Sequence, residues 1–191
     1  IKYYKNVQNY IAATMSDGSV NVLFTPVAPF ETEEYVNKIC DAYRLAAATG
    51  RVDSLILIPT FIADFLCVHP FNDGNGRMSR LLTLMLLYQT GFNVGKYISL
   101  EKHIEKTKDE YYRALREADM NWQEEQNDPT PFIKYMLGVI IGCYRERQFI
   151  EFNVNATVLA VIFKVIGIYV AVLTRDGPVK QTAGVIRYDN I

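Results

Sequence analysis

The sequence predicts an all-α core preceded by one small β-hairpin and followed by a short C-terminal module. Between residues 30 and 149 apolar side chains recur at helical spacing, in segments bounded by prolines and glycines. A turn-forming stretch at 16–19 precedes the β-favouring run 20–24. From residue 151 onward charged residues thin out and β-branched residues accumulate. We therefore expect a helical domain over 1–149 and a second, small module over 150–191.

The first elements are predicted by turn and cap residues. The run 20–24 is read as a strand of a hairpin, and prolines after it prevent the strand from continuing. Acidic residues at 31–34 suit a helix N-terminus, so a helix is expected over about 32–48. Asp53 is a good cap for a second helix. Pro59 is expected to kink or restart that helix, leaving 60–68 as its regular part.

The later helices are predicted by their apolar patterns. Residues 77–89 are apolar nearly all round, which predicts a buried central helix with the leucine run 81–87 in the core. A polar pair of helices is expected from 99 through 119. A last helix is expected from Thr130 to about Phe149.

Composition excludes several classes of function. The formal net charge is -1 with a pI near 6.2, which gives no global electrostatic footprint for nucleic acid. Three widely spaced cysteines fit neither a disulfide framework nor a zinc site and favour a reducing, cytoplasmic setting. The apolar run 154–173 contains Lys164, whose insertion costs about 2.5–3.5 kcal/mol, so no membrane span is expected.

The stretch Gly74-Asn75-Gly76 lies immediately before the helix predicted at 77–89. Both glycines can adopt positive φ, so that successive backbone N–H groups point into one concavity at a helix N-terminus, where anions bind. Arg77 and Arg80 are three residues apart and share a helix face, from which their guanidinium groups can reach phosphate oxygens. The sequence therefore predicts a polyphosphate site.

Two further side chains suit chemistry on a phosphate. Asp73 is adjacent to the predicted anion site, where a carboxylate is compatible with phosphates if Mg²⁺ lies between them. His69, at the end of the preceding helix, has an ordinary pKa of about 6.5 and is suited to accept a proton from an attacking hydroxyl. We expect Asp73 to be the metal ligand and His69 the general base.

The segment 69–80 resembles the signature of the Fic (Fido) family, His-x-Phe-x-[Asp/Glu]-Gly-Asn-Gly-Arg-x-x-Arg, at every specified position. The resemblance extends over about residues 20–149. It implies a Fic-type helical core and a protein adenylyltransferase, in which His69 deprotonates a Tyr, Ser or Thr hydroxyl of a target protein or of the chain itself. The hydroxyl then attacks the α-phosphate of ATP, with Mg²⁺ held by Asp73. The resemblance assigns phosphate contacts to Gly74, Asn75, Gly76, Arg77 and Arg80.

The resemblance also implies two binding regions outside the signature. The strand at 20–23 is similar to the family's flap, which holds the target segment by β-augmentation. The flap residues are Val20, Asn21, Val22 and Leu23. The family's adenine contacts come from a Tyr-Tyr helix and an Asn seven residues later; Tyr112 matches, and Asp119 stands at the Asn position. A carboxylate there keeps an acceptor for the adenine amino group but loses the amide donor.

Several alternatives remain open from sequence. The inhibitory pattern Ser/Thr-x-x-x-Glu-Gly/Asn of many Fic proteins is absent from the 191 residues, so an inhibitory helix is expected either upstream of Ile1 or from a partner. The same site could use another donor such as UTP, or remove AMP from a modified protein. A nucleotide-sensing regulatory module is the alternative from another class, with DNA contacted through residues 150–191. That module resembles the winged-helix appendages of some Fic proteins, although its basic residues are few and scattered.

Overall fold

A computed structural model of the chain describes residues 4–15, 17–93 and 99–150. Within these residues the protein is mostly helical, with one two-stranded antiparallel sheet. The elements are β1 (Ile11–Thr14), β2 (Val20–Phe24), α1 (Thr32–Thr49), α2 (Ser54–Val68), α3 (Asn75–Gln89), α4 (Leu100–Lys106), α5 (Lys108–Asp119) and α6 (Thr130–Ile150). The fold class is therefore the predicted one, and the module predicted at 150–191 lies almost entirely outside the described residues.

The hairpin forms where the turn residues place it. β1 pairs with β2 from Thr14 opposite Val20 to Ile11 opposite Phe24, with a register irregularity next to Ile11. Gly18 takes a φ of 82° in the turn. The strand β2 was predicted from its sequence, whereas its partner β1 follows a tyrosine-rich stretch with no alternating pattern and was not identified as a strand.

The helical core is centred on α2, which contacts α1, α3, α5 and α6. Every residue of α2 from Leu57 to Val68 is buried. Pro59 lies inside this helix, yet the helix is continuous from Ser54. The expectation that the helix restarts after Pro59 is wrong, because burial of both flanks outweighs the one backbone hydrogen bond that proline cannot donate.

The prediction that α3 is the buried central helix is also wrong. Its buried face carries polar side chains as well as leucines, and Leu81 is 60% exposed. The buried residues are Asn75, Ser79, Thr83, Leu86 and Leu87. An apolar stripe remains exposed within the described part of the chain, formed by Met78, Leu81, Met85 and Tyr88. One face of α3 packs against α2, and this contact buries only some of the leucines that the pattern assigned to the core.

The remaining helices follow the predicted boundaries closely. α4 and α5 form the expected polar pair, and α6 begins at Thr130 as predicted. Phe132, Met136 and Ile140 of α6 are almost fully buried, and this helix packs against α2, α4 and α5. Among residues 4–15, 17–93 and 99–150, no helix is long and apolar enough to cross a membrane.

Candidate active site

The loop between α2 and α3 changes chain direction through left-handed backbone at both of its ends. His69 terminates α2 with a φ of 50°, and its N–H donates to the Phe65 carbonyl at 2.9 Å. Gly74 precedes α3 with a φ of 84°, a conformation that costs little only for glycine. A non-glycine residue is uncommon in this region, so the structure holds His69 in a backbone conformation that histidine seldom adopts.

Asn75 closes the loop from inside. Its buried side chain accepts a hydrogen bond from the Phe71 N–H at 2.9 Å and donates one to the Phe71 carbonyl at 2.7 Å. The Phe71 ring packs against Phe65, with ring centroids 6.3 Å apart. Because the amide of Asn75 is used in the loop, the group it can offer to a phosphate is its backbone N–H.

His69 is held in the tautomer that a general base requires. Its Nδ1 lies 3.1 Å from the carbonyl oxygen of Leu66. A carbonyl can only accept, so Nδ1 carries the proton of the neutral ring and Nε2 keeps its lone pair. Burial lowers the pKa of His69, the bond to Leu66 opposes this, and the positive charge of Lys5 lowers it further. The imidazole is therefore neutral at pH 7 and able to accept a proton.

The two arginines lie over the two glycines. A Cβ atom added at Gly74 would lie 3.4 Å from Arg77 Nη2, and one added at Gly76 would lie 3.5 Å from Arg80 Nη1. Arg77 pairs with Asp73 at 3.1 Å, with both side chains largely exposed. The expectation that both glycines adopt positive φ is wrong for Gly76, which lies within α3. Its missing side chain instead leaves space beside the Arg80 guanidinium.

Arg80 is also held from another helix. Its Nε donates to Glu101 Oε1 of α4 at 3.0 Å, and its side chain is 28% exposed. The Nε edge of the guanidinium group is thus fixed, and its Nη1 atom is directed toward Gly76. A bound phosphate would meet an arginine whose orientation is already set, which reduces the entropy lost on binding.

A cavity of about 690 Å³ joins the loop, α5 and the hairpin. Of the predicted site residues, it is lined by His69, Gly76, Arg80, Tyr112, Asp119 and Leu23. Asp73, Gly74, Asn75, Arg77, Val20, Asn21 and Val22 do not line it. The structure thus brings together the proposed base, one phosphate-binding arginine, both candidate adenine residues and one end of the flap. The exposed Asp73–Arg77 pair lies outside this cavity.

The α5 wall of the cavity has two different faces. Tyr111 is buried, which raises its pKa to about 12, and Tyr112 is 44% exposed. Burial raises the pKa of Asp119 to about 7, although nearby Arg116 opposes the shift. Near neutral pH the carboxyl of Asp119 is therefore partly protonated and can donate as well as accept. This restores part of the hydrogen-bonding capacity that an amide would have.

The residues present fit Mg²⁺ only in combination with a phosphate ligand. Within the described ranges, no group of three His, Cys, Asp or Glu side chains could hold a metal ion. Asp73 is a single exposed carboxylate next to the N-terminus of α3. Mg²⁺ in phosphate-binding sites commonly takes one or two carboxylates, with phosphate oxygens and water completing the shell. Asp73 suits that type of site.

Comparisons with known proteins agree with this geometry. Residues 3–87 match the model of the Fic/DOC family. A Fic family protein from Desulfovibrio desulfuricans G20 superimposes with a TM-score of 0.62 and 25% identity, covering 80% of this chain and 42% of that one. Residues 3–87 are thus similar to Fic/DOC family proteins, and the mostly helical fold agrees with that of a solved Fic family protein. The matched segment includes the hairpin, α1, α2, the loop and most of α3.

Two curated proteins are similar to part of the chain. Protein adenylyltransferase fic-1 of Caenorhabditis elegans is 31% identical over 113 residues, covering 59% of this chain and 20% of that protein. A Fido domain-containing protein of Dictyostelium discoideum is 30% identical over 99 residues, covering 50% of this chain and 65% of that protein. The chain therefore spans about a fifth of the nematode protein and somewhat less than two thirds of the other.

Sequence reasoning missed an N-terminal strap, which we define as residues 4–9. The strap lies along the loop and hydrogen-bonds to the backbone of residues 68–71. Its strongest anchor is Lys5, which is only 3% exposed. These bonds go to backbone carbonyls and follow no periodicity, so neither composition nor spacing indicates them. A lysine among tyrosines near the chain start was the only available signal.

Proposed function

We propose that this Fic domain transfers AMP from ATP to a hydroxyl group of a protein, with His69 as the general base. The observation that carries the proposal is the tautomer of His69. The Leu66 carbonyl occupies Nδ1, which leaves Nε2 as the basic atom of a half-buried ring that lines the cavity. A residue that only bound nucleotide would not need a neutral imidazole in that state.

The proposed reaction is a substitution at the α-phosphorus. The hydroxyl oxygen of the target attacks that phosphorus while its proton passes to His69 Nε2. The bond from the α-phosphorus to the oxygen bridging to the β-phosphate breaks, and diphosphate leaves with its electron pair. Arg80 and the N–H groups at the start of α3 would stabilise the charge on the phosphate oxygens. Mg²⁺ bound through Asp73, when present, would neutralise part of the charge on the leaving group.

The hairpin supports a protein as the acceptor. β2 pairs on one edge with β1 in a two-stranded sheet, and no strand of the described residues pairs with its other edge, where an extended peptide could add. Val20, Val22 and Leu23 are exposed on this strand, and Leu23 also lines the cavity that contains His69. A target segment added to the flap would therefore enter the site beside the proposed base.

The nucleotide is assigned from two residues of α5. Tyr112 offers an exposed ring for stacking on a base, and Asp119 offers a carboxyl that both donates and accepts near pH 7. That pattern suits the amino group and ring nitrogen of adenine. Adenylyl transfer is therefore our leading assignment, with use of UTP or removal of AMP as the alternatives on the same site.

Incubation with Mg²⁺ and each of ATP, GTP, CTP and UTP tests the proposal, with intact mass spectrometry as the readout. A mass gain of one AMP group in the wild-type chain with ATP, absent in His69→Ala, is the expected result. A mass gain of one UMP group with UTP instead would identify UTP as the donor and leave His69 as the proposed base. Nucleotide that binds to the wild type without turnover, even in an extract that supplies targets, would favour the nucleotide-sensing module.

A further inference from the structure

The strap binds the backbone of the His69 loop at four consecutive carbonyls. Lys5 Nζ donates to the Val68 carbonyl at 3.0 Å, and the Lys5 N–H donates to the Pro70 carbonyl at 2.8 Å. Asn9 Nδ2 donates to the His69 carbonyl at 3.3 Å and to the Phe71 carbonyl at 3.0 Å. Asn6 exchanges two further hydrogen bonds with Asn72. A segment more than 55 residues away in sequence thus donates to carbonyls at the end of α2 and in the loop that follows it.

We propose that Lys5 and Asn9 are positioning residues for His69: they hold the loop backbone on both sides of the histidine. The proposal rests on the proposed function only for its effect on turnover. Neither side chain is assigned to contact substrate. Both act through the backbone that carries the proposed base.

Lys5 is suited to this role because its ammonium group is buried and hydrogen-bonded. Nζ donates to the Val68 carbonyl and to Asn9 Oδ1, each at 3.0 Å. Buried ammonium groups are tolerated when they are hydrogen-bonded in this way. Burial lowers the pKa of Lys5 to about 8, so the group is still mainly protonated at pH 7. A fixed positive charge therefore lies next to the residue preceding His69.

Asn9 joins the two halves of the network. Its Oδ1 accepts from Lys5, and its Nδ2 bridges the carbonyls of His69 and Phe71. Those carbonyls flank Pro70 in a turn where His69 has a φ of 50°. Left-handed backbone at a non-glycine residue persists only when surrounding contacts determine it, and Asn9 supplies two of them.

The charge of Lys5 also acts on the proton affinity of His69. Lys5 lowers the pKa of His69 and so opposes protonation of the ring. The other charged groups lining the same cavity are Arg80 from α3 and Asp109, Arg116 and Asp119 from α5. The two arginines and the two carboxyl groups have opposite effects on the pKa of His69. Loss of the Lys5 charge should therefore leave a net change at His69 in the direction of a higher pKa.

The test follows the histidine directly and needs no turnover. The chain contains two histidines, so the His69 ring resonance can be assigned with His103→Gln and followed by NMR across pH. In Lys5→Met the pKa of His69 should rise, and in Lys5→Arg it should return toward the wild-type value. A purely structural anchor would leave that pKa unchanged, and an unchanged pKa in a folded Lys5→Met would overturn the electrostatic part.

Asn9→Ala tests positioning without removing the charge, with Gln8→Ala as the matched control. Gln8 is on the same strap but bonds to the carbonyls of Asn9 and Pro26 and not to the loop. We expect Asn9→Ala to shift the His69 resonance and to lower kcat on the order of tenfold with little change in KM for ATP. Gln8→Ala should behave like the wild type.

The outcomes separate the two proposals. If the wild-type chain transfers no AMP, the proposed function fails, while the His69 resonance and pKa still decide the role of the strap. If Lys5→Met does not fold, Asn9→Ala against Gln8→Ala decides it. A His69 resonance and kcat that are the same in Asn9→Ala and Gln8→Ala would overturn positioning by Asn9.

Discussion

The Nδ1 atom of His69 lies 3.1 Å from the carbonyl oxygen of Leu66, three residues earlier in the chain. This carbonyl belongs to the last turn of α2, where acceptors lack an intrahelical partner. This one contact therefore gives the Leu66 carbonyl a donor and fixes the tautomer of the imidazole. The left-handed φ at His69 is what lets its ring fold back on that turn.

Replacement of Gly74 tests the left-handed start of α3. Gly74→Ala forces a side chain into a φ of 84° and places its Cβ 3.4 Å from Arg77 Nη2, so we expect a loss of about 1–2 kcal/mol in the free energy of unfolding. Urea denaturation measures it. Gly138→Ala in α6 is the matched control, because its Cβ would meet nothing within 4 Å and its backbone is helical. Equal free energies of unfolding for the two variants would contradict strain from a left-handed backbone at residue 74.

Replacement of Gly76 should weaken ligand binding without lowering stability. Gly76→Ala is in a helix and meets Arg80 Nη1 at an ordinary 3.5 Å, so stability should be unchanged or higher by about 0.5–1 kcal/mol. The new methyl group nevertheless enters the cavity beside His69. We expect weaker ATP binding by calorimetry together with an unchanged or higher Tm. Unaltered affinity would mean that the phosphates do not pass over Gly76.

The fold was largely predictable from the sequence because the caps and turns are local. Asp53, Gly50 and the turn at Gly18 act within a few residues, and each marks its boundary in the structure. Pro59 and Leu81 were misjudged because tertiary packing decided them. Proline was tolerated in a buried helix, and among the described elements the leucine-rich α3 packs mainly against α2.

The sequence indicated candidate site residues but not the contacts that orient them. The sequence indicated His69 and Arg80, yet the partners that orient them, Leu66 and Glu101, are a backbone group and a distant carboxylate. No spacing rule identifies such partners. Lys5 was missed for the same reason, since its contacts are backbone carbonyls more than sixty residues away in sequence.

The titration of Asp119 should appear in the stability of the protein. Burial raises the pKa of this carboxyl from 3.8 to about 7 in the folded state, so the folded protein binds the proton more tightly than the unfolded chain. The stability this provides is present at low pH and is lost as pH rises toward 7. Thermal unfolding of the wild type and Asp119→Asn across pH 5–8 measures it, with pH steps chosen around that value.

We expect the Tm of Asp119→Asn to rise relative to the wild type as the pH increases. Asp41→Asn is the control, because Asp41 is an exposed carboxylate paired with Arg44 on the surface. A constant difference in Tm between the wild type and Asp119→Asn at every pH would show that Asp119 titrates as it does in the unfolded chain.

Trp122 should contribute to stability through one buried hydrogen bond. Its Nε1 donates to Asp64 Oδ1 at 2.9 Å, joining the loop after α5 to the centre of α2. Trp122→Phe removes the donor and keeps an aromatic ring, so we expect a loss of about 1–3 kcal/mol in chemical denaturation. Tyr35→Phe is the control, since it keeps the ring that packs 5.8 Å from Trp122. A Trp122→Phe variant as stable as Tyr35→Phe would contradict the contribution of this hydrogen bond.

The central claim is that His69 accepts the proton of the attacking hydroxyl. The most direct measurement is the rate of transfer from ATP labelled at the α-phosphate in the wild type, His69→Ala and His103→Ala. His103 is the other histidine of the chain and pairs with Glu146 outside the cavity, so its replacement should leave the rate near wild type. His69→Ala should lose about 10²–10⁴-fold. Transfer by His69→Ala at the wild-type rate would contradict the account.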